Sequence, residues 1–210
     1  MKNSVIYIKN NRVIYNDYEY DYENLVEQKK LNDKRILFIL NQDLYTKRMD
    51  YKKNQSINNL IISAFGEDED YLFHYEFGHK KTEVVVYAIK GGNVVSFLCH
   101  GAKKIKVVPI QVYMTKNIVK IIKDKRWKLI FEFKGSYYYI AYEYNYIQCS
   151  FVEKNINNLL ERIKENNYLD NLYIDINIDL LKLENKDIKN ISIGDFLDEK
   201  RIWKQRFFTL

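Results

Sequence analysis

The run at residues 127–152, WKLIFEFKGSYYYIAYEYNYIQCSFV, restricts the possible folds of this chain more than any other stretch. It is β-forming throughout, broken only at Lys134-Gly135-Ser136 and Tyr144-Asn145-Tyr146. Leu129, Phe131 and Phe133 alternate with Lys128, Ile130, Glu132 and Lys134, and the aromatic and β-branched content suits a pleated, packed surface. Three strands on two tight turns are therefore predicted. Asn155 can then cap a helix in which Ile156, Leu159, Leu160 and Ile163 share one face, and residues 172–176 read as another strand. The expected order is β-β-β-α-β.

At 210 residues, 47% of them hydrophobic and 15% aromatic, the chain can bury a core as one large domain or two small lobes without disulfide or metal. Lys and Arg number 34 against 28 Asp and Glu, so the charge of +6 is a mild excess spread along the sequence, an ordinary Lys-rich surface. Cys99 and Cys149 form neither a CxxC nor a disulfide framework, which points to a reducing compartment and favours the cytoplasm. No internal run approaches the roughly 18 apolar residues of a membrane span, and the first residues lack a signal-peptide core.

Taken from the start, residues 4–8 and 12–20 read as two strands joined at Lys9-Asn10-Asn11, since Asn tolerates left-handed turns. A helix is predicted at 22–31, strands at 36–40 and 44–51 with Gln42-Asp43 as their turn, and a helix capped by Ser56 and stopped by Gly66. The acidic run Glu67, Asp68, Glu69 and Asp70 leads into strands at 71–77 and 82–89. Gly91-Gly92 opens a helix as a plain turn, because neither a following Lys-Ser/Thr nor GxGxxG spacing is present. A strand at 105–108 meets Pro109, where proline is tolerated at a helix start, and a helix runs over 110–122. Three parts follow: residues 1–124, 125–190 and a terminal segment 191–210. An open edge such as residues 12–20 can pair with a copy of itself.

Catalytic and metal signatures are sparse. His74, His79 and His100 have no metal-ligand spacing, so no metal is expected. Cys99 and His100 are helical neighbours whose side chains diverge, which makes Cys99 a structural thiol. GxSxG and P-loop motifs are missing, and a pairing such as Glu132 with Glu143 is not distinguished from chance among so many acids. The tyrosines of 137–146 have the aromatic content of an RNA-binding sheet but no RNP1 pattern, and two-residue alternation assigns them to sheet packing. No nucleic-acid partner is expected.

The β-β-β-α-β order is how each lobe of an actin-like fold begins, so the fold class expected is α/β with mixed sheets: actin-like or ribonuclease H-like, two-lobed and reduced in size. Residues 36–113 resemble the cytoplasmic actin-like domain of the type II secretion L component (GspL-like) and its type IV pilus relative, PilM. The matching features, in order, are ILFILNQDLYTKRMDY, FGEDEDYLFHYEFG, EVVVYAIK, the helix to Gly101, and VVPIQVY. ISIGDFLDEKR with RIWKQRFF is similar to the segment that precedes the L component's membrane span, or that opens PilN and docks on PilM.

The resemblance implies a non-catalytic scaffold at the cytoplasmic face of the inner membrane, linking a pilus or secretion assembly ATPase to inner-membrane platform proteins. It implies anchoring by a membrane helix after Leu210, with Lys200, Arg201, Trp203, Lys204 and Arg206 next to the membrane. Glu67, Asp68, Glu69, Asp70, Ile191, Ile193 and Phe196 are the implied partner-binding residues. Nucleotide-binding actin-like folds place an Asp before a glycine-rich turn in each lobe. Here the first turn has neither Asp nor Gly, and the second has Glu132 in place of Asp and Lys134 in place of glycine, leaving only Gly135 and Ser136 compatible. No hydrolysis and no ATP cofactor are expected. The alternative is an actin-like ATP-binding protein or nucleotide-dependent switch that contacts its nucleotide through Glu132, Lys134, Gly135 and Ser136.

Overall fold

The computed structural model describes residues 3–78, 81–165, 171–178 and 188–197. Its first half comprises β1 (Ser4–Lys9), β2 (Arg12–Tyr15), β3 (Tyr18–Asp21), α1 (Tyr22–Gln28), β4 (Lys34–Leu40), β5 (Tyr45–Asp50), α2 (Ile57–Phe65), β6 (Tyr71–Phe77), β7 (Glu83–Lys90) and α3 (Gly92–Cys99). β8 (Lys104–Pro109), α4 (Ile110–Ile118), β9 (Arg126–Phe133), β10 (Ser136–Glu143), β11 (Tyr146–Glu153), α5 (Ile156–Glu165), β12 (Leu172–Asp175), β13 (Lys189–Ile191) and α6 (Gly194–Leu197) follow.

Two five-stranded sheets repeat one topology. The first has the order β3-β2-β1-β4-β8 and the second β11-β10-β9-β12-β13. In each, an antiparallel meander is extended by two parallel strands. A three-stranded sheet, β5-β7-β6, is inserted with α2 between β4 and β8 of the first unit.

Turn chemistry explains the meanders. The pairs Asn16-Asp17, Lys134-Gly135 and Tyr144-Asn145 all have positive φ at both positions, the two-residue geometry that matches strand twist. The first of these corrects the expectation of a single strand at 12–20: the Asn16-Asp17 turn divides it into β2 and β3. Ser56 caps α2, its hydroxyl accepting the Asn59 N–H, and the Gly66 N–H closes the other end on Ile62 O. β8 ends at Pro109, and α4 begins with the next residue.

The largest core joins the two five-stranded sheets. Tyr7, Phe38 and Ile39 of the first sheet share it with Leu129, Phe131, Phe133, Tyr138 and Ile140 of the second, and α4 contributes Ile110, Tyr113, Met114 and Ile118. On the other face of the second sheet, Ile130, Tyr139 and Phe151 pack against Leu159, Leu160 and Ile163 of α5. β9 is therefore buried on both faces, as the central strand of a covered sheet must be. Leu60 and Ile61 of α2 cover Val84 and Val86 of β7 in a separate small core.

Candidate functional site

The shared core brings the β1–β2 turn beside the β9–β10 turn. Lys9 Nζ donates to the Lys134 carbonyl at 3.5 Å. Lys134 Nζ sits 5.0 Å from the centroid of the Tyr7 ring and 3.5 Å from Asp17 Oδ1. Tyr7 is held in place by Phe38, stacked at 5.5 Å, and by Phe133, edge-on at 5.6 Å. The lysine head thus spans the two meanders, engaged by an aromatic face and a carboxylate of the first lobe.

Beside the turns, the link from β4 to β5 is tied to the second sheet. Asn41 N–H donates to Tyr138 Oη at 3.3 Å, and that hydroxyl donates to Asn41 Oδ1 at 3.2 Å. Burial pushes the Tyr138 phenol well above its ordinary pKa, so it remains a neutral donor. Asp43 accepts the Val152 N–H at 3.0 Å through Oδ1 and pairs with Arg162 at 2.7 Å through Oδ2. Arg162 also pairs with Glu153 at 3.1 Å, and its guanidinium lies 4.3 Å from the Phe151 ring centroid. Leu44 N–H donates to Ser150 O at 3.2 Å. A cavity of about 370 Å³ lies alongside, lined by the amides of Asn10, Asn41, Asn155 and Asn158 with Glu153 and Lys154. Asp43 and Arg162 were not expected at this site. Residue 43 reads only as a turn, and Arg162 falls on the polar face of a helix.

Of the expected nucleotide residues, Lys134 stands at this junction, while Glu132 faces away from it and Ser136 is buried. Glu132 is exposed and lies on the sheet face of Ile130, opposite to Phe131 and Phe133, which face the first lobe. Ser136 is fully buried, and Gly135 and Ser136 do not line the cavity. A Cβ added to Gly135 would meet nothing within 4 Å, so this glycine answers to its φ of 76°, with no close backbone approach to accommodate. A triphosphate cradle needs such an approach and a carboxylate for metal-bound water. The residues of these two turns do not fit that group.

The Gly91-Gly92 corner is filled from within the chain. The N–H groups of Gly91 and Gly92 donate to Asp70 O at 3.0 and 2.8 Å, and Asn93 N–H donates to Asp70 Oδ1 at 3.2 Å. Asp70 therefore satisfies the start of α3, where an anion would otherwise sit. Asp68 lies 3.8 Å from Lys90, while Glu67, Asp68 and Glu69 stay exposed. A Cβ on Gly92 would be 2.9 Å from Glu69 O and 3.0 Å from Asp70 O, both backbone atoms. Gly92→Ala is expected to cost roughly 1–3 kcal/mol by forcing this loop outward, read as a lower urea midpoint.

The terminal residues expected to bind a partner are used intramolecularly. Ile193 is fully buried in the main core, against which Ile191 and Phe196 also pack. Tyr113 Oη donates to Phe196 O at 2.7 Å, and β13 pairs in parallel with β12. Ile193 is thus committed to the chain's own interior. Lys200, Arg201, Trp203, Lys204 and Arg206 lie outside the described residues. Membrane anchoring is corrected: among the described residues no helix is long and apolar enough to cross a membrane. Nor do the described residues gather three His, Cys, Asp or Glu side chains in a metal-binding group. Burial raises the pKa of both thiols, Cys99 and Cys149.

No family model matches the chain, and no curated protein matches it. Among solved structures it is similar to a Bacteroides thetaiotaomicron protein with actin-like ATPase fold and unknown function, at a TM-score of 0.55 and 10% identity over 98% of this chain and 96% of that one. It also aligns with a PilM-PilN type IV pilus biogenesis complex, at a TM-score of 0.45 and 11% identity over 86% of this chain and 67% of that one, a likeness too slight to carry an argument. Identities this low speak to architecture only, and the repeated sheet topology agrees with them: the chain has an actin-like ATPase-type fold of mixed α/β sheets, in a reduced two-lobed form.

Proposed function

We propose that this chain is a non-catalytic, protein-binding scaffold that has kept an actin-like fold without its phosphate chemistry. The observation that carries the reading is Lys134, whose ammonium lies on Tyr7 and beside Asp17 where the two lobe-opening turns meet. The first turn holds no Asp, Glu132 faces away, and the Asp17 carboxylate is engaged with Lys134. In its finer form the scaffold belongs to a type IV pilus or type II secretion assembly platform, on the cytoplasmic side. The sequence resemblance of residues 36–113 supports that form. Saturating Mg-ATP is expected to leave the melting temperature unchanged within about 1 °C; a saturable rise of roughly 5–10 °C would overturn the reading, since a ligand present at about 100 times its Kd stabilises the folded state by about 2.7 kcal/mol.

A nucleotide-dependent switch is the second reading, favoured by the 370 Å³ cavity beside Asn10 and Lys154. Under it, the ATP-dependent rise would appear and would disappear when Asn158→Trp fills that cavity.

A further inference from the structure

The molecule's sheet edges are guarded, with one exception. β3 has four residues and carries Glu19 and Asp21, both near Arg12. β8 carries Lys104, Lys106 and Pro109, β13 has three residues, and β11 is met by Leu44 at Ser150. β5 carries Lys47 and Arg48. Short strands, edge lysines and proline are the usual means by which proteins prevent unwanted strand addition. β6 is longer and has neither lysine nor proline; its one acid, Glu76, lies 3.5 Å from His74. Its seven residues, YLFHYEF, pair with β7 in unbroken register, and among the described residues nothing pairs with its other side.

β6 also exposes an aromatic row. Phe73, Tyr75 and Phe77 are 36%, 44% and 38% exposed, on the same sheet face as Tyr71. Phe65 and Tyr51 support the row from one side, at 5.7 Å from Phe73 and 4.9 Å from Phe77. Charge is polarised along the strand: the exposed acids Glu67, Asp68 and Glu69 precede it, and Lys81 follows in the hairpin turn.

We propose that β6 is an interaction edge whose occupant is the β6 strand of a second copy of this chain, added antiparallel about a twofold axis at His74. In that arrangement the strand is self-complementary. Phe73 faces the second copy's Tyr75, Tyr71 faces its Phe77, and every aromatic finds an aromatic on one face. This surface is distinct from residues 12–20, where the outer strand is the short, charged β3.

Sedimentation velocity from low to high micromolar protein tests the proposal. The native chain is expected to form a dimer with rising concentration. Tyr75→Lys, at an exposed position, should remain monomeric while keeping its melting temperature. A native chain that stays monomeric, or a Tyr75→Lys variant that still dimerises, would overturn it.

Discussion

Phe131→Ala is expected to lower the free energy of unfolding by about 3–5 kcal/mol, the range for a fully buried aromatic truncated in a packed core. Phe131 is completely buried and stacks on Tyr138 with ring centroids 5.0 Å apart. The core around it also holds Phe38 from the first sheet and Tyr113 from α4. A cavity there removes contacts from both lobes at once, because neither sheet can collapse into it without pulling the other. The loss should therefore appear in a single transition. In a Trp203→Phe background, Trp127, buried and stacked on Tyr142, provides a fluorescence probe of the second sheet, and far-UV circular dichroism reports both. Coincident urea curves, shifted together by the substitution, are the expected result. Curves that separate, with only the tryptophan signal displaced, would show that the lobes unfold independently.

Arg35→Met is expected to cost about 2–3 kcal/mol, by leaving buried carbonyls without a charged donor. Arg35 is only 6% exposed, and its guanidinium donates to Leu98 O at 2.5 Å, His100 O at 2.9 Å and Asn32 O at 3.2 Å. Leu98 and His100 stand at the end of α3, where carbonyls have run out of intrahelical N–H partners. Burial lowers the Arg35 pKa from its usual value, but a guanidinium starts so far above neutrality that the charge persists. Methionine keeps the apolar stem and removes the fork. Hydrogen exchange should show α3 losing more protection than β9, and Arg35→Lys should recover part of the loss, since one ammonium cannot serve three separated carbonyls. Equal loss in α3 and β9 would mean that Arg35 acts on global packing instead of capping this helix.

Much of the architecture was readable from neighbours in sequence. The three strands of the second meander follow from residue alternation and from two turns that accept positive φ, and their bounds differ from expectation by a residue or so. Ser56, Gly66 and Pro109 mark helix ends because capping is a local exchange of hydrogen bonds. Reading failed where a local signal had two meanings. Asn16-Asp17 passed for the polar side of one strand, and residues 119–122 for the continuation of α4. The segment around Ile193 looked like a docking peptide because an apolar residue in a short polar stretch does not reveal whether its groove belongs to another protein or to its own chain.

The site was less legible than the fold. Lys134 stood out as a lysine where a glycine was wanted, but its consequence depended on Tyr7 and Asp17, the latter 117 positions away. Asp43 meets Arg162 across 119 positions, and no motif announces that pairing. By itself, the sequence determined the strands, the tight turns, the helix caps and the departure from a glycine-rich phosphate turn, since each depends on residues within one or two turns of chain. Only the tertiary structure decided that the lobes share one core, that Lys134 lies on Tyr7, that Asp70 occupies the start of α3 and that β6 is the unguarded edge. Those outcomes depend on which distant surfaces come together when the apolar faces are buried, and local spacing does not record that choice.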